Sequence, residues 1–181
     1  MKIAFNTRLM LKNRLDGIGW FTYETTKRIT EQHPEHEFFL IFDRPYSNEF
    51  SFAENVTPVV IGPPARHPFL WYLWLEFSLP RIFKRYKPDI FVSTDGYLSL
   101  SADVPSLAVI HDINFAHRPL DLPFLIRTYY KHYFPKFARK AKKIVTVSEY
   151  SKNDISLTYS IDKDKIDVVY NGSNELYQPL P

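Results

Sequence analysis

The chain reads as an α/β protein: a Rossmann-like, doubly wound, mostly parallel sheet with helices on both faces. Two observations predict it. Apolar runs of strand length recur along the chain, and segments of helical length separate several of them. Elements alternating in this order form a parallel sheet covered on both sides and joined by right-handed crossovers. The run Leu107-Ala108-Val109-Ile110 also ends abruptly in His111-Asp112, a buried strand delivering polar groups to its tip. Ligands of open parallel sheets bind beyond the carboxyl ends of the strands, so this pair is a candidate for chemistry. The plainer reading makes His111 a hydrogen-bonded structural imidazole and Asp112 a helix cap or turn residue.

The first strand is Ile3 to Phe5, and the apolar run before Asn6 and Arg8 is too short for a signal peptide. The first helix, Ile18 to Gln32, places Ile18, Phe21, Thr25 and Ile29 on one stripe, and His33-Pro34 ends it. Strand runs follow at Phe38 to Phe42 and Val56 to Ile61. A second helical segment extends from about Pro68 to Tyr86 and a third from about Leu122 to Lys142. Pro80 and Pro135 interrupt them late, which predicts kinks or paired short helices. Ile90 to Val92, Leu107 to Ile110 and Ile144 to Val147 supply further strands. After Glu149-Tyr150-Ser151 a short polar helix leads to the run Ile166 to Tyr170, and Asn171-Gly172 turns the chain. Residues 1–172 thus form one domain, while 173–181, with two prolines and little core pattern, read as a linker or tail. Neither an internal repeat nor a low-complexity tract is present.

At 181 residues and 45% hydrophobic, the chain has room for one well-buried core. A net charge of +3 falls far short of the dense basic stripe of a nucleic-acid binder; anionic small molecules or lipid headgroups fit better. The absence of cysteine excludes disulfides, thiolate metal sites and thiol nucleophiles, and suits a reducing cytoplasm. The longest apolar run, Phe69 to Leu75, is far below the roughly 18 residues of a membrane span. Burial is its default reading, with acceptor or membrane contact as the other. Between Leu122 and Ser148 stand seven lysines and arginines and no carboxylate. A solvated face explains them, although the interleaved Tyr129, Tyr130, Tyr133, Phe134 and Phe137 also suit a helix resting on anionic lipid.

In Asp16-Gly17-Ile18-Gly19-Trp20-Phe21-Thr22, glycines let backbone amides approach a ligand, and the positive end of the following helix favours an anion. A dinucleotide site with Asp43 as ribose acceptor is the tempting reading. Against it, Thr22 holds the third glycine position, and the glycines lie well beyond Arg8 instead of directly after the strand. A ligand-facing loop fits better, with simple turn glycines as the alternative. Thr146-Val147-Ser148-Glu149 repeats the theme of a strand ending in polar groups: Ser148 can cap the next helix, with Glu149 aimed into the cleft or supporting the cap. Ser148 lacks the Gly-x-Ser-x-Gly elbow of a hydrolase nucleophile. His111, Asp112 and His117 match no zinc spacing, so no metal is expected.

Together these pieces resemble the N-terminal half of a family 4 glycosyltransferase, a group of retaining enzymes with two facing Rossmann-like domains (the GT-B fold). The resemblance rests on Asp16 to Phe21, Lys87-Pro88-Asp89-Ile90-Phe91, Val109-Ile110-His111-Asp112-Ile113-Asn114-Phe115, Ile144 to Ser151 and Ile166 to Gly172, in that order, and covers nearly the whole chain. The subgroup it looks most like is bacterial and mannosyltransferase-like, building cell-surface polysaccharide. Trp20 stands where that subgroup often has arginine, and Asp95-Gly96 matches no pattern of the family.

The resemblance implies a nucleotide-sugar donor, a glycan or lipid-linked acceptor, and no cofactor. It also implies a cytoplasmic location with peripheral contact at the inner face of the cell membrane. Gly17 and Gly19 would lie at the cleft, near the donor diphosphate or the acceptor, and His111 would face the transferred sugar. There a neutral imidazole can orient a hydroxyl as charge develops at the anomeric carbon. Asp95, Asp112, Ser148 and Glu149 complete the expected substrate contacts. No protein nucleophile is assigned, since the leaving diphosphate can itself assist the incoming hydroxyl. The family holds its donor mainly in a C-terminal domain, so the chain is expected to be an acceptor-side half with little or no transfer activity alone. Two other readings stay open: a stand-alone sugar- or anion-binding module, and a nicotinamide-dependent enzyme.

Overall fold

A computed structural model describes residues 1–172. The strands are β1 (Lys2–Asn6), β2 (Glu37–Phe42), β3 (Val56–Val60), β4 (Ile90–Ser93), β5 (Ser106–Val109), β6 (Lys143–Thr146) and β7 (Ile166–Val168). They form one sheet in the order β3-β2-β1-β4-β5-β6-β7, every neighbouring pair parallel. Each lies on a predicted apolar run. Such runs are apolar on both faces because both faces are covered. Within β2, Phe38, Leu40 and Phe42 enter one core, and the alternate residues Phe39 and Ile41 enter the other.

The first of these cores lies beneath α1 (Gly17–Gln32), which packs Tyr23 and Ile29 against it. On the other face lie α2 (Pro68–Leu73), a π-helical turn (Trp74–Ser78) and α3 (Leu79–Tyr86). A single turn, α4 (Asn114–His117), follows β5; α5 (Phe124–Lys140) and α6 (Glu149–Tyr159) complete that second layer. The expected doubly wound sheet is therefore observed. The linker expected at 173–181 lies outside the described residues.

Three expectations need correction. The stripe of α1 that is buried is Gly19, Thr22, Thr26 and Thr30, one position on from the predicted Ile18, Phe21, Thr25 and Ile29, which are half-buried. The buried threonines face inward, with Thr22 Oγ1 2.8 Å from Thr94 Oγ1. Their hydroxyls are satisfied within the helix: Thr22 Oγ1 donates to the Ile18 carbonyl at 2.7 Å and Thr30 Oγ1 to that of Lys27 at 3.0 Å.

Pro80 does interrupt its segment, sitting in the first turn of α3 just after the π turn. The carbonyl four residues before it, that of Glu76, accepts from the Ser101 hydroxyl at 3.3 Å. Pro135 instead lies inside an unbroken α5, so the third segment is not a pair of short helices. Phe134 and Phe137 anchor both sides of this proline in the core, and their burial outweighs the lost hydrogen bond.

The run Phe69 to Leu75 is buried on one face only: Trp71, Trp74 and Leu75 enter the core, while Phe69 remains 64% exposed. On and after α5, Lys131, Lys136, Arg139, Lys140 and Lys142 are exposed, opposite buried Tyr129, Phe134, Phe137 and Ala138. Among the described residues, no helix is long and apolar enough to cross a membrane.

Candidate active-site cleft

β1 has β2 on one side and β4 on the other, so strand order reverses at this pair. Loops leave such a point in opposite directions and open a crevice at the carboxyl ends of the strands. A cavity of about 590 Å³ lies there. The segment after β1 contributes Arg8, Arg14 and Asp16, the β4 tip Asp95 and Tyr97, and the β5 tip His111 and Asp112. Trp71 of α2 and Tyr130 of α5 close its apolar side.

His111 is half-buried at the β5 tip and is held on two sides. Its Nε2 lies 3.1 Å from the Thr94 carbonyl, and its ring meets Phe21 edge-on with centroids 4.8 Å apart. A carbonyl only accepts, so Nε2 carries the hydrogen, and Nδ1 is the ring position left to a ligand. Nδ1 has no partner among the described residues. The hydrogen-bonded structural reading and the functional reading of His111 are thus compatible. One nitrogen fixes the ring, and the other can accept from a ligand hydroxyl.

Asp95 is a buried hub. It accepts from Arg8 Nε at 2.7 Å, Asn6 Nδ2 at 2.8 Å, Ser93 Oγ at 2.9 Å and the Tyr97 amide at 3.3 Å. Its oxygens are spent on the protein, so it shapes the cavity chiefly through Arg8. The guanidinium of Arg8 lies 4.1 Å from the centre of the Tyr97 ring, and Nη1 donates to the Ala65 carbonyl at 3.3 Å. Burial alone would lower the Arg8 pKa, but Asp95 and Tyr97 together outweigh it and hold the group above its ordinary value. Burial likewise pushes the Tyr97 phenol well above its ordinary value, against the opposing pull of Arg8.

The other predicted site residues divide. Asp112 lines the cavity while one oxygen accepts from the Asn114 amide at 2.9 Å, the turn role foreseen as its plainer reading. Asp16 and Ile18 reach the cavity, but Gly17 and Gly19 between and beside them are not among its lining residues. The Gly19 amide donates to Asp16 Oδ1 at 2.8 Å, and a Cβ here would stand 2.9 Å from the Leu9 carbonyl oxygen. Gly19 is therefore needed for close packing of the loop on α1. Ser148 caps α6, accepting from the Ser151 amide at 3.0 Å. Ser148 and exposed Glu149 stand beyond the lining of the cavity.

Asp43, the residue a dinucleotide site would need, is buried under Arg44 with both contacts at 2.6 Å and also accepts from the Ala65 amide. That geometry leaves it no ribose to hold. His117 pairs with Asp154 at 2.8 Å, which takes it away from His111 and Asp112.

Sequence reasoning reached the aromatic wall only at Trp71, in the run given acceptor contact as its second reading, and missed the arginines Arg8, Arg14, Arg44 and Arg66, all of which line the cavity. A signal was available: each follows one of the first three strands, the position where ligand contacts gather in open sheets.

The sequence model of Glycosyltransferase Family 4 matches residues 15–175. The O-antigen chain mannosyltransferase RfbU of Salmonella typhimurium is 24% identical over 140 residues, covering 72% of this chain and 37% of that protein. Among solved structures, the lipopolysaccharide outer core galactosyltransferase WaaB superposes with a TM-score of 0.62 at 15% identity, over 96% of this chain and 46% of its own. Anabaena Alr3699/HepE, solved with UDP and glucose, gives 0.61 at 13% identity, over 99% and 47%. The chain thus spans less than half the length of each of these relatives. With its cleft at the β1/β4 reversal and a family match across most of its length, the chain belongs to Glycosyltransferase Family 4, as an N-terminal domain of the GT-B fold.

Proposed function

We propose that this chain is the acceptor-side domain of a retaining glycosyltransferase that moves a hexose, mannose foremost, from a nucleotide sugar to a glycan or lipid-linked acceptor. The pathway it serves is cell-surface polysaccharide synthesis in the cytoplasm. The supporting relatives are an O-antigen mannosyltransferase and a lipopolysaccharide galactosyltransferase. One observation carries the reading: His111 stands in an open cavity at the strand reversal with Nε2 fixed on Thr94 and Nδ1 available to a hydroxyl.

In transfer, the acceptor oxygen bonds to the anomeric carbon as the bond from that carbon to the diphosphate breaks. The acceptor proton passes to the departing diphosphate. His111 accepts a hydrogen bond from a hydroxyl of the moving sugar and holds it while positive charge develops at the anomeric carbon. The donor's nucleotide is held chiefly by the second domain of the complete enzyme. No metal or cofactor is called for. Among the described residues, the one cluster with metal-ligating geometry is His33, Glu35 and His36, which precedes β2 at the opposite end of the strands. On the same reading, exposed Phe124 and Leu125, beside Arg127 and Lys131, rest against anionic lipid.

The test is a transfer assay with GDP- and UDP-hexoses and lipid-linked acceptors, comparing this chain with a protein that continues into a second Rossmann-like domain. Transfer by the longer protein alone is expected. Robust turnover by residues 1–181 would refute the half-enzyme reading, and no transfer from any donor by the longer protein would refute the transferase.

A further inference from the structure

Strand order sorts the charges of the cavity. Arg66 follows β3, Arg44 follows β2, and Arg8 and Arg14 follow β1, so four arginines border one half of the crevice, with Asp16 as the one lining carboxylate there. Across the reversal, β4 and β5 contribute Asp95, His111 and Asp112. We propose that the acceptor is a phosphate ester, its phosphate held by the arginines over β1, β2 and β3 while its sugar lies over β4 and β5. This rests on the transferase reading and adds the chemical class of the acceptor.

The arginines are arranged as donors to a ligand. Arg8 and Arg44 are fixed from behind by Asp95 and Asp43, at 2.7 and 2.6 Å. A guanidinium has five N–H groups. Arg8 spends Nε on Asp95 and one Nη1 hydrogen on Ala65, and Arg44 spends Nε and one Nη2 hydrogen on Asp43. Both are more than four-fifths buried yet line the cavity; Arg8 also lies against Tyr97, and Arg44 Nη1 has no hydrogen-bond partner among the described residues. Arg14 and Arg66 are exposed at the rim and make no ion pair with a described residue. The acid nearest Arg14 in the chain, Asp16, caps α1, and the acid nearest Arg66, Glu76, accepts the amides of Leu100 and Ser101.

A neutral sugar is recognised by mixed donors and acceptors, because each hydroxyl is both. Arginine offers donors alone. A carboxylate is satisfied by one bidentate fork, whereas the tetrahedral oxygens of a phosphate accept from several forks approaching from different loops. Either a lipid-linked diphosphate headgroup or a soluble sugar phosphate presents that chemistry.

Titration calorimetry of the purified chain decides between them. The probes are mannose 1-phosphate, methyl mannoside as the neutral control, and farnesyl diphosphate in zwitterionic micelles. At least one phosphate probe should bind saturably and methyl mannoside should not. The rim variant Arg14→Gln/Arg66→Gln should weaken binding about tenfold or more, while Lys140→Gln, outside the cavity, should not. Tighter binding of farnesyl diphosphate assigns the site to a lipid headgroup, and tighter binding of mannose 1-phosphate to a soluble acceptor.

Equal affinity in the rim variant with an unchanged melting curve, or no saturable phosphate binding, overturns the proposal even if the longer protein transfers sugar. In that longer protein, saturating GDP or UDP should leave phosphate binding intact. Displacement would assign the arginines to the donor's diphosphate and overturn the acceptor assignment. If phosphate binds but no sugar is transferred, the transferase reading fails and the arginine site stands.

Discussion

Arg8 and Asp95, 87 positions apart in the chain, meet at 2.7 Å with both side chains buried, tying the end of β1 to the end of β4. A buried ion pair is a weak net stabiliser, but a buried charge that loses its partner is costly. Asp95→Ala should therefore lower unfolding free energy by about 3–5 kcal/mol in urea titrations. A loss below about 1 kcal/mol would mean that water reaches the guanidinium and screens it.

His111→Ala removes a half-buried ring whose contacts with the protein are the Thr94 carbonyl and the edge of Phe21. In the two-domain enzyme, turnover should drop on the order of 10²-fold, roughly 2.7 kcal/mol of transition-state stabilisation. Steady-state kinetics beside a melting curve separate this from unfolding. Wild-type rates would leave His111 a structural residue fixed by Thr94 and Phe21.

The two glycines in the first turn of α1 should respond differently to alanine. Gly19→Ala brings a methyl group within 2.9 Å of a backbone oxygen and should destabilise by about 1–3 kcal/mol. Gly17→Ala meets nothing within 4 Å and should change stability by no more than about 0.5 kcal/mol. A tolerant Gly19 would show that the β1–α1 loop can yield.

Burial raises the phenol pKa values of Tyr97, Tyr129 and Tyr159 above the ordinary value. A raised folded-state pKa stabilises fully below the unfolded value and is lost as pH climbs past it, because the unfolded chain then releases its protons first. Melting temperature should hold to about pH 9.5 and fall beyond about pH 10. Tyr97→Phe should flatten that alkaline fall, and an unchanged slope would exclude Tyr97 as a contributor.

If Phe124 and Leu125 meet lipid, Phe124→Ser/Leu125→Ser should weaken co-sedimentation with anionic vesicles several-fold. Zwitterionic vesicles should bind neither protein. Equal pelleting of both proteins would restrict these exposed side chains to solvent.

All seven strands were legible in the sequence because a parallel sheet buried on both faces forces continuous apolar runs, as in Phe38 to Phe42. The tip of β5 was legible because His111 breaks such a run. Helix faces were harder to read: Thr22, Thr26 and Thr30 look solvent-facing by type, and only their bonds to preceding carbonyls let them pack inward. The arginine half of the crevice stayed hidden for a different reason. Arg8, Arg44 and Arg66 are isolated in sequence, and only the strand order gathers them.

The π turn at Trp74–Ser78 holds one residue more than an α-helix of the same rise needs. From it, Trp74 Nε1 reaches the Ile61 carbonyl at 2.8 Å, and Glu76 accepts the amides of Leu100 and Ser101 at 2.7 and 3.0 Å. Removing one residue would let α2 and α3 fuse into a regular helix, but everything beyond the deletion would rotate by about 100°. Either those anchors or the inward face of Leu79, Ile82 and Phe83 would then be lost. The turn acts as a length gauge: this stretch can drift in sequence, but not in residue count, without detaching the wall of the cleft.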